Sequence, residues 1–296
     1  MKPAVGVIGL GIMGSAMAGN LLRAGFRVTG YDTLASRRRE HRRAGGVAAR
    51  SGAEVGETTR VVICSLPSSQ ALLQTAAELA AGAPRIVIET STLPIAVKEE
   101  ASSRLAARGT ILLDCPLSGT GSQARVKDIV VYASGDRRAY RQIAPILNAV
   151  ARAHYYVGAF GAGSRMKFVA NLLVAIHNVA AAEALVLAKK AGLDPVMTLK
   201  VIADGAGSSR MFQVRGPLMV KGDYAKPLMK LEIWQKDMTI IGDFARGMGC
   251  PTPLFAATAP IYTAATRVDG SRDTAAVYAV LEKMAGARKS TCNVQS

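Results

Sequence analysis

Apolar and polar positions near the N-terminus alternate in a way that predicts short strands on either side of a helix. Residues 4–8 (AVGVI) form an apolar run rich in β-branched residues, which is typical of a buried strand. Apolar residues then recur at helical spacing over 15–24, and Gly25 ends that segment. A second apolar run covers 26–31 and stops at Asp32. The pattern predicts strand, helix and strand in close succession.

The same alternation continues as far as residue 157. Further predicted strands cover 46–48, 60–66, 85–89, 110–113, 129–133 and 154–157. Predicted helices lie between most of them, one ending at 44 and the others covering 51–57, 68–81, 94–108 and 135–150. Strands that alternate with helices at this spacing indicate a parallel, doubly wound sheet.

Beyond this region the pattern changes, and Gly158, Gly161 and Gly163 mark the change. No strand-like run follows in the sequence. Amphipathic segments predict helices at 164–191, from 194 onwards, and at 228–248, 254–266 and 274–285. We therefore predict an α/β protein with two domains: a doubly wound sheet over 1–161, followed by an all-helical C-terminal domain over 162–296.

A glycine-rich turn connects the first predicted strand to the first helix. In its G-x-G-x-x-G pattern, Gly9 permits a tight turn, Gly11 lets a pyrophosphate approach the backbone, and Gly14 lets the helix pack close to the strand. Asp32 follows at the distance expected of a carboxylate that binds ribose hydroxyls. This is the dinucleotide-binding fingerprint of a Rossmann-type domain. Its candidate cofactor residues are Gly9, Leu10, Gly11, Ile12, Met13, Gly14 and Asp32.

The residues around Asp32 bear on the choice between NAD and NADP. A carboxylate repels a 2′-phosphate by about 4 kcal/mol per pair of unit charges at ~4 Å and an effective dielectric constant of ~20. Asp32 therefore favours NAD. Arg37 and Arg38 on the next predicted helix could reach a 2′-phosphate, which leaves NADP as the alternative.

Two further strand ends are candidates for the same cofactor. Ligands of doubly wound sheets lie at the carboxyl ends of the strands, where the sequence places Leu66, Pro67, Ser91 and Thr92. These residues are candidate contacts of the adenine, ribose or nicotinamide. The alternative interpretation is that they are ordinary loop residues.

Composition limits the classes of partner and compartment. The 296 residues are 50% hydrophobic, enough for a large core, and the formal net charge of +16 suggests acidic partners such as nucleotides and carboxylates. The densest basic cluster, 37–43, has no interleaved aromatic residues, so a solvated helix face is favoured over a nucleic-acid site. Polar residues within 169–188 argue against a membrane span.

The spacing of the cysteines and histidines bears on metal binding and on the cellular compartment. The four cysteines form no CxxC pair, and the three histidines share no metal-ligand spacing with carboxylates or cysteines. The chain also leads from its first residues directly into the first strand, so we expect no export signal. The sequence therefore predicts no metal site and a cytoplasmic protein.

One predicted helix carries a candidate acid/base. The segment 164–191 places Lys167, Asn171 and Asn178 on one helical face. Burial lowers the pKa of a lysine side chain, which makes it able to exchange a proton near neutral pH. An amide one turn away can hold a substrate. The same spacing is also compatible with a simple polar face.

Four motifs, taken in order, carry a family resemblance. They are the segment 9–21, the segment 114–119 (DCPLSG), the segment 161–171 (GAGSRMKFVAN) and the pair Lys236-Asp237. Together they resemble the N-terminal signature, substrate-binding motif, catalytic motif and C-terminal Lys-Asp pair of the β-hydroxyacid dehydrogenase family. This family includes 3-hydroxyisobutyrate dehydrogenases and tartronate semialdehyde reductases, and the resemblance covers nearly the whole chain.

The resemblance implies an activity and a set of roles. The activity is reversible NAD(P)-dependent oxidation of a short-chain β-hydroxy acid to its semialdehyde or oxo acid. Lys167 is implied as the acid/base, with Ser118, Gly119 and Asn171 holding the substrate carboxylate and hydroxyl. Lys236 is implied to reach the cofactor or substrate. Leu66 and Thr92 are implied to line the nicotinamide nucleotide.

The chain departs from the family pattern after Gly119. The segment Thr120-Gly121-Ser122-Gln123 replaces a glycine-rich continuation, so Thr120 brings a side chain to a position where the family has bare backbone. Thr120 is therefore a further candidate for substrate binding. The departure leaves the identity of the hydroxy acid open.

Two other functions fit parts of the sequence. Related sequences act as imine reductases but generally lack the catalytic lysine, so Lys167 argues against that activity. A non-catalytic nucleotide-binding or nucleic-acid-associated scaffold is supported only by the net charge. Because long helices leave apolar faces that one chain does not cover, we also expect a homodimer or homotetramer.

Overall fold

The computed structural model describes residues 2–286. The chain divides into two compact units, the first ending at Phe168 and the second beginning at Val169. The long helix that carries Lys167 begins in the first unit and continues into the second.

The first unit is built around a six-stranded, fully parallel sheet. Its strands are β1 (Ala4–Ile8), β2 (Arg27–Tyr31), β3 (Val47–Ala48), β4 (Val61–Cys64), β5 (Ile86–Glu89) and β6 (Ile111–Asp114). They lie in the order β3-β2-β1-β4-β5-β6. The order reverses between β1 and β4, and a crevice for ligands forms at such a point, outside the carboxyl ends of the strands. The predicted doubly wound sheet is confirmed.

Helices connect these strands and bury apolar residues on both faces of the sheet. They are α1 (Ile12–Arg23), α2 (Ala35–Arg43), α3 (Gly52–Thr58), α4 (Ser69–Gly82) and α5 (Ile95–Ala106). Neighbouring strand residues belong to two separate core clusters: Ile63 to one, and Val62 and Cys64 to the other. This alternation with a period of two is expected of a strand covered on both faces.

The last two predicted strands of the first unit belong to a separate sheet. Three strands form it, β7 (Leu117–Ser118), β8 (Val130–Ala133) and β9 (Ala153–Tyr156), and β7 runs antiparallel to β8. The helices of this region are α6 (Gly121–Arg125) and α7 (Arg137–Val150). A single antiparallel bridge between Asp114 and Ser134 joins β6 to this sheet.

The second unit is helical throughout the part of the chain that the structure describes, apart from one isolated bridge between Lys230 and Asp273. Its helices are α8 (Ala162–Lys190, begun in the first unit), α9 (Pro195–Asp204), α10 (Arg210–Lys221), α11 (Leu231–Gly247), α12 (Pro253–Asp269) and α13 (Val277–Met284). A 3₁₀ turn, Thr274–Ala276, precedes the last one. The predicted all-helical character is confirmed, although α10 was not among the predicted helices.

Helix α8 is, by length and composition alone, apolar enough to cross a membrane. In the part of α8 that belongs to the second unit, however, the buried Asn178 has partners within that unit. Asn178 donates hydrogen bonds to the Tyr262 hydroxyl and the Thr274 carbonyl oxygen, each at 3.0 Å. Because a buried amide needs such partners, this part of α8 is the core helix of a folded unit.

Candidate functional site

The glycine turn has the backbone that the fingerprint requires. Gly9 has a φ of +86°, and a Cβ at this position would overlap the Ser65 carbonyl oxygen. A Cβ at Gly14 would overlap the carbonyl oxygen of Gly9, so helix α1 packs directly on the turn. Gly11 differs, because the nearest atom to its Cβ position is Arg37 Nη1, 3.8 Å away. The first and third glycines are thus required by packing, whereas the second leaves open space for a ligand.

Asp32 lies beside this turn at the end of β2. Its side chain is 5% exposed, and Oδ2 accepts a hydrogen bond from the Leu10 amide at 2.9 Å. Oδ1 accepts another from the Leu34 amide at 2.9 Å. Arg37, whose side chain is 43% exposed, forms an ion pair with Oδ2 at 3.2 Å. The carboxylate is therefore held in a fixed position, with a cation on its solvent side.

Hydrogen bonds join the residues at the ends of β4 and β5 that are predicted to contact the cofactor. The Leu66 amide donates a hydrogen bond to Ser91 Oγ at 2.8 Å. The Thr90 amide and hydroxyl both donate to the carbonyl oxygen of Cys64, at 3.0 and 2.7 Å. These bonds fix Leu66-Pro67 next to Ser91-Thr92 at the carboxyl edge of the sheet.

The segment 118–121 reaches the same edge and touches the glycine turn. Gly119 has a φ of +138°, which a side chain would strain, and Ile129 packs against it. A Cβ at Gly121 would overlap the side chain of Ile12. The predicted substrate loop and the predicted cofactor turn are therefore in direct contact within the first unit.

Thr120 begins helix α6 with a capping box. Its backbone amide donates to Gln123 Oε1 at 2.9 Å, while its hydroxyl lies 3.5 Å from the Gln123 amide and 3.0 Å from Gln123 Oε1. The T-x-x-Q spacing is a known signature of a helix start. The departure from the family pattern therefore has a local structural purpose, which the sequence reasoning missed.

Helix α8 begins against the end of β6. The Ser164 amide donates to Asp114 Oδ2 and the Ser164 hydroxyl donates to Asp114 Oδ1, both at 2.8 Å. The Gly163 amide donates to Ser134 Oγ at 2.9 Å. Lys167 follows Ser164 by about one helical turn and is partly buried. The first turn of α8 is therefore anchored to the strand that leads into Ser118.

In the second unit, one carboxylate brings two of the predicted residues together. Asp237 is 5% exposed and accepts a hydrogen bond from Asn171 Nδ2 at 3.1 Å. Lys236 Nζ lies 3.2 Å from the other oxygen of the same carboxylate. Asp237 belongs to the Lys-Asp pair of the family resemblance, but the sequence spacing carries no signal of its contact with Asn171.

These residues fit a nicotinamide dinucleotide. Gly11 leaves open space beside the N-terminus of α1, where backbone N–H groups and the helix dipole favour phosphate. Asp32 presents a fixed carboxylate suited to ribose hydroxyls. Within residues 2–286 no group of three or more His, Cys, Asp or Glu side chains could hold a metal ion.

Comparison with known proteins matches two consecutive parts of the chain to two families. Residues 4–158 match a family described as the NAD binding domain of 6-phosphogluconate dehydrogenase. Residues 161–281 match one described as NAD-binding of NADP-dependent 3-hydroxyisobutyrate dehydrogenase. L-threonate dehydrogenase of Cupriavidus necator is 38% identical over 290 residues, covering 95% of this chain and 96% of that protein.

Two solved structures have the same fold over almost their full length. The 3-hydroxyisobutyrate dehydrogenase of Salmonella typhimurium is 30% identical with a TM-score of 0.84, covering 94% of this chain and all of that one. The 3-hydroxyisobutyrate dehydrogenase of Mycobacterium tuberculosis is 28% identical with a TM-score of 0.87, covering 95% and 99%. With the fingerprint turn and the anchored lysine helix, these matches establish that the chain belongs to the β-hydroxyacid dehydrogenase family and is an NAD(P)-dependent hydroxyacid oxidoreductase.

Proposed function

We propose that the chain oxidises a short hydroxy acid, with Lys167 as the acid/base that accepts the hydroxyl proton. The observation that supports this proposal is the anchoring of the first turn of α8 to Asp114, because Asp114 ends β6 at the same edge of the sheet as the glycine turn that follows β1. Nicotinamide supplies the hydride acceptor when bound. The protein must then orient the substrate and move one proton.

The proton transfer needs a base within hydrogen-bond reach of the substrate hydroxyl. An amine on α8 can take that proton during oxidation and return it to the carbonyl oxygen during reduction. Asn171 follows Lys167 by four residues on the same helix, so the two are neighbours on its surface. The bond from Asn171 Nδ2 to Asp237 fixes the amide, and we propose that the amide oxygen accepts a hydrogen bond from the substrate hydroxyl.

The substrate carboxylate needs donors, and we propose that Ser118 and the backbone of Gly119 supply them. Both belong to the loop that touches Ile12. The capping box uses the amide and hydroxyl of Thr120, so we propose that Thr120 acts mainly by shaping this loop. Lys236 is proposed as a further cation for the cofactor or substrate.

For the substrate we propose a short polyhydroxy acid of the L-threonate kind. The relative that is 38% identical over almost the whole chain carries that name. The test is a panel of L-threonate, 3-hydroxyisobutyrate, glycerate and 4-hydroxybutyrate with NAD and with NADP, followed by nicotinamide absorbance. The proposal expects the highest kcat/KM for L-threonate, and turnover of none of the four acids would contradict it.

The ion pair between Arg37 and Asp32 predicts how the cofactor choice is set. In Arg37→Ala, Asp32 would face a 2′-phosphate without its neighbouring cation. We expect NADP affinity to fall about 10-fold more than NAD affinity, equivalent to ~1.4 kcal/mol at this partly exposed site. Calorimetric titration of both cofactors measures this. Arg39→Ala, an exposed position on the same helix, is the control, and an equal loss of both affinities in Arg37→Ala would contradict the assignment.

We also propose a homodimer or homotetramer in the cytoplasm. The second unit exposes large apolar side chains at the end of α8, in the turn that follows it and on α9, including Leu187, Leu193, Val196, Met197 and Val201. Apolar residues grouped in this way are typical of subunit interfaces. Light scattering should give two or four times the chain mass of 31.0 kDa, whereas a mass equal to one chain would refute the oligomer.

A further inference from the structure

A buried ion cluster in the first unit links the loop at Ser91 to the first turn of α8. The proposed mechanism requires these two parts to keep a fixed relative position. Lys98, on α5, lies between two carboxylates, with Nζ 2.6 Å from Glu89 Oε2 and 2.8 Å from Asp114 Oδ1. All three side chains are 0% exposed. Glu89 and Asp114 end the neighbouring strands β5 and β6 and are paired in register. We call these residues the Lys98 triad.

The Lys98 triad contacts the loop that carries the predicted nicotinamide residues. Lys98 Nζ donates to the Ser91 carbonyl oxygen at 2.7 Å, and the Ser91 amide donates to Glu89 Oε1 at 2.8 Å. The Ser91 hydroxyl in turn accepts a hydrogen bond from the Leu66 amide. One ammonium and one carboxylate therefore fix the loop at Ser91, and Ser91 in turn holds the Leu66 amide at the end of β4.

The other carboxylate of the triad holds the first turn of α8. Asp114 accepts one bond from Lys98 and two from Ser164, one from its amide and one from its hydroxyl. A carboxylate at the start of a helix also interacts favourably with the helix dipole. Asp114 thus connects Lys98 to the turn from which Lys167 projects.

Stability alone is a weak reason for such a cluster. Desolvation of the buried Lys98 ammonium lowers its pKa, but Glu89 and Asp114 outweigh this, so the pKa is raised and the ammonium stays charged. A buried ion cluster is nevertheless often no more stabilising than well-packed apolar residues of similar volume. What the cluster provides is a fixed geometry, because each contact holds one atom at a set distance from another.

We propose that Lys98 and Asp114 are positioning residues for the hydride-transfer step. They hold the first turn of α8 and the loop at Ser91-Thr92 in one geometry. In this way Lys167 keeps a fixed distance from the carboxyl edge of the sheet, where we expect the nicotinamide to bind. The proposal rests on the proposed role of Lys167. Neither Lys98 nor Asp114 touches the substrate in this assignment.

The test is Asp114→Asn. This change keeps the shape, leaves Lys98 paired with Glu89, and replaces one of the two accepting oxygens with an NH₂ group that cannot accept from Ser164. A small displacement of a catalytic group can cost up to about 100-fold, so we expect kcat to fall about 10- to 100-fold while the Kd of NAD changes less than about 3-fold. We also expect a larger primary deuterium isotope effect on kcat with C-deuterated substrate, because hydride transfer becomes rate-limiting.

The control is Asp273→Asn in the second unit. Asp273 is also a fully buried carboxylate, paired with Arg215 and accepting from the amides of Leu228 and Ala275. This variant should lose stability but keep the kcat and isotope effect of its folded fraction. If Asp114→Asn does not fold, Ser164→Ala removes only the hydroxyl bond, and we expect a smaller fall in kcat with the same rise in isotope effect.

Wild-type kcat and isotope effect in both Asp114→Asn and Ser164→Ala would overturn the proposal. Lys167→Met, assayed in parallel, separates this failure from failure of the proposed function. If kcat of Lys167→Met falls about 10³-fold while Asp114→Asn behaves as wild type, only the positioning role is wrong. If Lys167→Met keeps kcat within a few-fold of the wild type, the proposed role of Lys167 is wrong, whatever the behaviour of Asp114→Asn.

Discussion

Replacement of Lys167 by methionine should lower kcat about 10³-fold while NAD still binds, because general acid–base catalysis contributes about 10²- to 10⁴-fold. Methionine keeps much of the length and apolar volume of the lysine stem but cannot exchange a proton. The cofactor contacts that we assign lie in the glycine turn and at Asp32, so the Kd of NAD should stay close to that of the wild type. Steady-state kinetics and calorimetric titration measure the two quantities.

Lys189→Met provides the matched control for that experiment. Lys189 lies near the other end of the same helix and pairs with Glu282 at 2.7 Å. The change removes one positive charge from α8 without touching the proposed site, so kcat should stay near the wild-type value. A Lys167→Met enzyme with kcat within a few-fold of the wild type would show that another group transfers the proton.

Alanine at two glycines of the fingerprint should give opposite results. At Gly14 the added methyl overlaps the Gly9 carbonyl oxygen, which is backbone and cannot move aside. We expect Gly14→Ala to lose about 3 kcal/mol of unfolding free energy or more, visible as a lower Tm without ligand. At Gly11 the methyl meets only Arg37 Nη1 at 3.8 Å, so the Tm should remain near that of the wild type.

The affinity for NAD should distinguish these two glycines further. The Gly11 methyl would stand where a pyrophosphate must approach the backbone. We therefore expect the Kd of NAD to rise about 10-fold or more in Gly11→Ala, equivalent to ~1.4 kcal/mol, in a protein that is otherwise folded. Unchanged NAD affinity in Gly11→Ala would show that the cofactor does not lie over this turn.

The order of elements was predictable from the sequence because each depends on local pattern. Strands such as β1 and β4 are short apolar runs with turn residues at their ends, and the glycine turn has a fixed spacing. Helix α10 was missed for a local reason as well. Gly216 and Pro217 lie inside it, and both disfavour a helix interior. Its Ser209 N-cap, which accepts from the Phe212 amide at 3.0 Å, was the signal available.

The parts of the site that depend on distant contacts were not predictable. Glu89 and Asp114 could be placed at strand ends, but nothing in the sequence indicated that Lys98 is buried between them. A lysine on a helix is usually solvated. Its burial here follows from the register of β5 and β6, which brings the two carboxylates side by side. Similarly, the contact between Asn171 and Asp237 joins residues 66 positions apart.

Thr120 shows how a motif comparison can mislead about a local feature. Compared with the family pattern, it suggested a changed substrate contact. In the structure its amide and hydroxyl belong to the capping box with Gln123. The T-x-x-Q spacing was present in the sequence, and a search for helix starts in this loop would have found it.

The most direct test of the central claim is the pH dependence of hydride transfer in a single turnover. Enzyme saturated with NAD is mixed with the hydroxy acid that the panel identifies, and reduced nicotinamide is followed by stopped-flow absorbance. We predict that the rate in the wild type rises with pH through one ionisation. In Lys167→Met that ionisation should be absent and the remaining slow rate flat or dependent only on hydroxide. The same ionisation at the same pH in Lys167→Met would contradict the assignment of Lys167 as the base.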